Sequence, residues 1–486
     1  MKIATLKVVR VASFALSVIL FILGLLMQDL SILNYSVFLI WVCNICYAVE
    51  RFYDRIFFFA FQVTFFTFLM GRTVAGLFLK REDYYHFSNE ILLHTEVCLF
   101  IALISILFGY IFFTRVRFTK QKAVVEVDYN SSRYLIIRKI SLYLYWAMLP
   151  FNMLIIAEKA IFVRMMGYAN YYVDYTSRFP YFITKFGDIC PLAFYIFLAT
   201  MPNKKEIKWP TIIFFVRAVI LMFTGKRADF VVPVLLLLLY FAKRNEINPG
   251  GEQWLSSKHL RMVAIAVPVV LVVLFSFNTS RFDASKKAES NSFFESILGF
   301  FDNTGFSVNV ISFEKEYEER IPNKIYSFGD TTDYLRENVL TQLFFDFPVY
   351  RTQTAEKALY GNNFSQTVTY LRSPSYYLSG RGYGSSYIAE AYHDFGYFGI
   401  ILWSFIYSYM LAKVYSFKGK GVIYVALALQ ALHYILLAPR NMASAFMSEY
   451  INVNTWIVIA AVLVLANVIR RRTRVGINYM GSVRNS

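Results

Sequence analysis

Cysteine is scarce in this 486-residue chain, and its placement excludes more than it offers. Cys43, Cys46, Cys98 and Cys190 all fall in apolar runs. The longest polar stretch, residues 279–385, contains none, so no disulfide staples it. Cys43 and Cys46 have the spacing of a redox or zinc pair. No second pair and no histidine cluster accompanies them, so they read as small residues packing a helix. The sequence has no Gly-x-x-x-x-Gly-Lys-Ser/Thr motif, which argues against a nucleotide-driven pump. It shows no internal repeat, unlike many transporters. Period-two alternation is also absent, which argues against an outer-membrane barrel. No small-x-small site follows the first apolar run. That run therefore reads as an uncleaved first span rather than a signal peptide.

What the chain has in abundance is apolar sequence: 57% hydrophobic and 19% aromatic residues. A spanning helix needs about 20 apolar residues, and twelve runs come near that length. They cover 8–28, 31–49, 56–79, 91–114, 140–163, 179–201, 209–224, 228–242, 262–278, 386–412, 421–438 and 449–469. The seventh and eighth are short enough to be tilted or only partly inserted. The expected fold is all-α: a polytopic helical membrane protein of about twelve transmembrane helices with one large extracytoplasmic loop of short helices. Three regions follow: 1–278 with spans one to nine, 279–385 as the outer loop, and 386–486 with spans ten to twelve and a short basic tail.

The net charge of +17 would fit a nucleic-acid partner, but its distribution gives another cause. With both termini inside, the inner segments hold 27 basic against 7 acidic residues, and the outer ones 18 against 20. This positive-inside pattern accounts for the whole excess and places 279–385 outside. No nucleic-acid partner is needed. The outer loop's aromatics (Phe300, Phe301, Phe344, Phe345, Phe347, Tyr350) suit a body lying on the membrane face.

Charges within spans are costly and therefore informative. Arg72, Glu96, Glu158, Lys159, Lys185, Asp188, Glu390 and Asp394 fall toward the outer side, and only Arg217 falls mid-span. A transmembrane ion path needs such groups at several depths, whereas an outward cavity needs them at this one. Three arginine motifs sit at the same level: Gly225-Lys226-Arg227, Ser280-Arg281 and Pro439-Arg440. A guanidinium fork suits bidentate phosphate binding; snorkelling to headgroups is the plain alternative for any one of them.

At these residues the chain resembles the Wzy-type O-antigen and capsular polysaccharide polymerases, the oligosaccharide repeat-unit polymerases. Gly225-Lys226-Arg227 is similar to that family's Gly-x-Arg turn, and Arg440 to its arginine after the penultimate span. Gly384-Ser385-Ser386-Tyr387-Ile388-Ala389-Glu390, followed by Phe395-Gly396-Tyr397-Phe398-Gly399, resembles the family's return into the membrane. The related O-antigen ligases carry His-Asn where Ser385-Ser386 stand here, which favours polymerase over ligase.

The resemblance implies a glycosyltransferase in the cytoplasmic (inner) membrane of a bacterium, with both termini cytoplasmic. Two undecaprenyl-pyrophosphate-linked glycans would meet at its outer face, with no metal or other cofactor. A hydroxyl of one repeat unit attacks the anomeric carbon of the chain on the other. Arg227, Arg440 and Arg281 are the expected phosphate-holding catalytic residues, and Glu390 the expected base, with helix packing as its alternative role. Arg72, Arg381, Ser385 and Ser386 are expected to bind substrate. Gly382 and Gly384 are expected to turn the backbone into span ten. The family often works with a polysaccharide chain-length regulator, a partner the resemblance admits beside membrane lipid. A lipid-linked glycan flippase or other transporter is the competing class, and an O-antigen ligase a third. On this reading, 279–385 is a lid and glycan guide over a membrane-embedded site.

Overall fold

The computed structural model describes residues 3–79, 86–116, 127–225, 228–247, 253–282 and 292–484. Among them every regular element is helical and no strand occurs. Ten helices of the described residues are long and apolar enough to cross a membrane: Ala4–Met27, Leu30–Glu50, Ile56–Leu79, Asn89–Arg115, Ser132–Met166, Tyr181–Ala199, Ser257–Ser276, Tyr387–Val414, Val422–Arg440 and Val453–Arg472. Helices satisfy their own backbone polar groups, the condition for crossing lipid. These ten follow expected spans one to six and nine to twelve. The remaining two expected spans form the helices Lys204–Met222 and Ala228–Ile247. Both spend part of their length on charge, with Lys204, Lys205, Glu206 and Lys208 in one and Asp229, Lys243 and Arg244 in the other. Too little uninterrupted apolar sequence is left to count them with the ten.

The chain forms two compact units. The first comprises Met1–Phe118, Leu237–Tyr415 and Tyr434–Ala445, and the second Thr119–Leu236, Ser416–His433 and Phe446–Ser486. In the first unit the two leading helices approach closely through reciprocal serine bonds. Ser17 Oγ donates to Ser36 O at 3.1 Å, and Ser36 Oγ donates to Ser17 O at 2.9 Å. Small hydroxyl residues let helices in lipid meet in this way. Ser408 Oγ ties the helix from Tyr387 to Ile106 O at 2.9 Å in the same manner.

The polar segment belongs to the first unit and is a succession of short helices, as expected. Its first, Phe293–Thr304, begins with a capping box: Glu295 N donates to Ser292 Oγ, and Ser292 N donates to the Glu295 carboxylate. This helix lies against the third span, where Phe301 meets Phe66 edge-on at 5.6 Å. A one-turn π segment, Phe66–Met70, interrupts that span. The following 3-10 turn passes so near the span that a side chain at Gly305 would collide with the backbone of Arg72. Phe300 is buried and Phe301 partly so, so these two rings pack inward rather than lie on the membrane face.

In the second unit, charges within the expected spans are met by polar partners. Arg217 Nε donates to Asn152 Oδ1 at 2.6 Å, and Asn152 Nδ2 donates to Gly187 O at 2.9 Å. Glu158 accepts from Tyr175 Oη, Ser177 Oγ and Arg178 N. Lys185 and Asp188 form a 3.8 Å pair one turn apart, with both side chains substantially exposed.

Candidate functional site

The chain's return from the polar segment is organised around one carboxylate. Gly380 and Gly384 take positive φ, at +85° and +86°, and deliver the backbone to Ser385. Gly384 is one of the two expected turn glycines; Gly382 is not among the residues with positive φ. Ser386 is wholly buried and caps the return helix, Tyr387–Tyr409, its Oγ accepting from Ile388 N at 3.4 Å. Glu390 stands in the helix's first turn and is 0% exposed. Ser385 Oγ donates to its Oε1 at 2.6 Å, and Ala443 N donates to its Oε2 at 2.8 Å. Tyr407 Oη donates to the carbonyl of the same Ala443 at 2.8 Å. A buried carboxylate needs such donors, since losing one costs about 1–3 kcal/mol. Glu390 thus joins the return loop to the turn after the penultimate span.

That turn carries Arg440. The single 3-10 turn Ala438–Arg440 is rooted by buried Ala438 and Pro439, while the Arg440 side chain is exposed. Its guanidinium lies 5.7 Å from the centre of the Phe68 ring. Phe68 sits in the π segment of the third span, one helical turn before Arg72. The structure therefore brings Arg440 and Arg72 to one stretch of the same helix. Arg72 pairs with Asp302 at 3.5 Å and lies 5.7 Å from the Phe306 ring.

From Phe306 a row of rings runs to a third candidate. Phe306 and Tyr383 are 5.7 Å apart, and Tyr383 stacks on Tyr376 at 5.2 Å with 17° between the planes. Arg381 lies 5.6 Å from Tyr376 and is exposed. Arg72 and Arg381 thus mark the two ends of a continuous aromatic row. Arg281 lies near the end of the helix Ser257–Phe282, with its side chain outside the described residues, and Arg227 lies outside them altogether. Among the described residues no group of three or more His, Cys, Asp or Glu is placed to hold a metal ion.

Sequence reasoning missed Asp302, Phe68 and the Tyr376–Tyr383 stack. The tyrosines left a signal: Tyr376 precedes the glycine-rich loop, and Tyr383 lies within it between Gly382 and Gly384. Asp302 and Phe68 left none, because their roles depend on docking between distant segments. Two further residues of the return helix hold the polar segment. Asp394 accepts from Tyr326 N at 2.9 Å and Ser327 N at 2.7 Å. His393 Nδ1 lies 3.4 Å from the fully buried Glu314. Burial pushes the Glu314 carboxyl above its ordinary value, with His393 opposing.

Just beyond, the return helix breaks. Phe395 and Gly396 leave helical geometry, Gly396 at φ +59° and ψ −151°, a region essentially reserved for glycine. The Phe395-Gly396-Tyr397-Phe398-Gly399 motif read from the sequence therefore begins with a kink at Phe395 and Gly396.

The sequence model of the family described as O-antigen polysaccharide polymerase Wzy matches residues 9–473. The chain belongs to this family. No curated protein and no solved structure matches it. Its function is that of an O-antigen repeat-unit polymerase, acting on lipid-linked oligosaccharide repeat units in the membrane. The polymerase match spans both compact units, so the Glu390-centred joint and the arginine–aromatic row lie inside the matched region.

Proposed function

We propose that this polymerase is a metal-independent glycosyltransferase that joins undecaprenyl-pyrophosphate-linked repeat units at the outer face of the bacterial cytoplasmic membrane. The observation that carries the site assignment is the convergence of Arg440 and Arg72 on one turn of the third span, beside the row of rings ending at Arg381. The chemistry asks for such a grouping. The acceptor hydroxyl oxygen bonds to the anomeric carbon as the carbon–oxygen bond to the pyrophosphate breaks. The pyrophosphate leaves with that electron pair, and the hydroxyl gives up its proton. Negative charge gathers on the leaving group, where preorganised guanidinium groups are most effective.

In this proposal Arg440 holds the leaving pyrophosphate, with Arg72 beside it. Arg227 and Arg281 remain further candidates for the same task. The rings of Phe306, Tyr383 and Tyr376 offer apolar faces to sugar rings, and Arg381 guides the glycan at the far end. Both oxygens of Glu390 are engaged by Ser385 and Ala443. We therefore assign Glu390 to positioning the Arg440 turn, with Ser385 and Ser386 building the same joint rather than touching sugar. Cytoplasmic termini are supported by the inner excess of basic residues. An even number of spans, ten or twelve, also keeps both ends on one side. A chain-length regulator is the proposed partner.

The test follows lipid-linked repeat units in cells lacking the protein. Single units should reach the outer leaflet and stay unpolymerised. Accumulation on the inner leaflet would instead indicate a flippase, and normal polymer that fails to be attached would indicate a ligase.

A further inference from the structure

The polar segment carries a second feature, remote in sequence from the arginines. From Leu340, inside the helix Val339–Gln342, through Leu343-Phe344-Phe345-Asp346-Phe347-Pro348-Val349 on the way to the helix Ala355–Tyr360, the chain turns its apolar side chains outward. Phe344 is 81% exposed and Leu343 72%, with Phe345 and Val349 both near 59%. Phe344 exceeds even the outward-facing residues of the spans, such as Leu26 and Met165 at 76%.

The display is built rather than loose. Gln342 Nε2 donates to Arg336 O at 2.7 Å and to Phe347 O at 3.1 Å, closing the stretch into a hook. Phe344 N and Phe345 N both donate to Thr341 O, which forms the tip. Phe345 and Phe347 stack at 5.7 Å. In water, an ordered apolar tip of this kind would be an association site.

We propose that this hook is a membrane-dipping prong, with Leu343, Phe344 and Phe345 inserted among the lipids of the leaflet on its own side. Two observations favour lipid as the occupant. First, the base of the prong is tied to the spans. Phe328 packs on Trp403 of the return helix at 5.2 Å, and Thr331 Oγ1 donates to Ser444 O in the Arg440 turn at 3.4 Å. The helix Gly329–Glu337, which leads from there, is only about 14 Å long. Second, the basic residues Arg336 and Arg351 flank the tip, and the Arg336 guanidinium lies 5.7 Å from the Phe347 ring. Aromatic tips with a cationic collar match the boundary between acyl chains and anionic headgroups. Asp346, exposed beside the rings, is costly to bury in lipid and so limits insertion to the Leu343–Phe345 tip. The prong anchors the segment that carries the aromatic row, so glycan and lipid are held by one body.

The experiment is independent of polymerase activity. A nitroxide is attached to Phe344→Cys and, separately, to Glu356→Cys, an exposed position of the same segment, in the full-length protein in lipid nanodiscs. The four native cysteines are buried. Collisions with oxygen and with a water-soluble nickel chelate report depth. The account expects a several-fold higher oxygen-to-nickel ratio at position 344 than at 356, and a return toward the aqueous ratio when Leu343→Asp and Phe345→Asp are added. Equal ratios at the two positions would overturn it. So would spin–spin broadening at 344 that vanishes on dilution with unlabelled protein, which would mark a contact between copies. Either failure would leave the arginine site untouched.

Discussion

Glu390 and Ala443 stand 53 residues apart in sequence and meet in a single hydrogen bond of 2.8 Å from the Ala443 amide to a buried carboxylate oxygen. That bond fixes the turn bearing Arg440 against the first turn of the return helix. The opposite oxygen holds Ser385, so one side chain sets the register of two loops. The consequences can be measured.

Ser385→Ala removes one of the two donors and should destabilise the joint by about 1–3 kcal/mol. Glu390→Gln should do the same, because its amide nitrogen must face a donor. Both variants should insert in the membrane, melt earlier and make shorter or no polymer. A polymer ladder and melting point like those of the unaltered protein would remove Glu390 from its positioning role.

Tyr383→Ala removes the middle of the aromatic row. Each ring–ring contact contributes about 0.5–1.5 kcal/mol beyond area burial, and Tyr383 makes such contacts with Phe306, Phe313 and Tyr376. With purified protein, KM for the lipid-linked unit should rise several-fold while kcat changes less. Tyr383→Phe should keep most of the affinity. A fall in kcat at constant KM would place the ring elsewhere in the reaction.

Gly396→Ala fills open space, since a Cβ there meets nothing within 4 Å. Its cost is conformational, about 1–3 kcal/mol for a side chain in a glycine-only region. The variant should show a lowered melting point together with reduced polymer. Unchanged stability would mean that the kink is not needed.

Glu314 gives a pH dependence of definite sign. Burial raises its folded value above the ordinary 4.5 of a carboxyl group, against the influence of His393. The unfolded chain then releases the proton first. The stabilising contribution is complete below about 4.5 and is lost as pH rises through the folded value. Melting temperature followed upward from pH 4.5 should therefore decline more steeply in the unaltered protein than in Glu314→Gln. Parallel curves would show that Glu314 does not titrate in this way.

The helical membrane fold was legible because apolar length reports spans directly. The two helices that fell short, Lys204–Met222 and Ala228–Ile247, were already marked by their short apolar runs. Ser386, Glu390 and Arg440 could be nominated from local motifs. Their relationships could not, because Ser385–Glu390–Ala443 and Arg440–Phe68 are made by segments that meet only on folding. Phe300 and Phe301 show the same limit. Their composition fitted an interface, yet docking on the third span turned them inward, while Phe344 and Phe345 nearby in the same segment face out.

The central claim is that Arg440 holds the departing pyrophosphate. Its most direct test is polymerisation in proteoliposomes by purified protein supplied with undecaprenyl-pyrophosphate-linked repeat units, scored by polymer formed and undecaprenyl pyrophosphate released. Arg440→Ala should reduce both by about 10²–10³-fold, the loss typical of removing a preorganised donor. Arg440→Lys should recover little, because it lacks the two-pronged grip. Polymer of unaltered length and rate from Arg440→Ala, with matching release of the lipid pyrophosphate, would contradict the account.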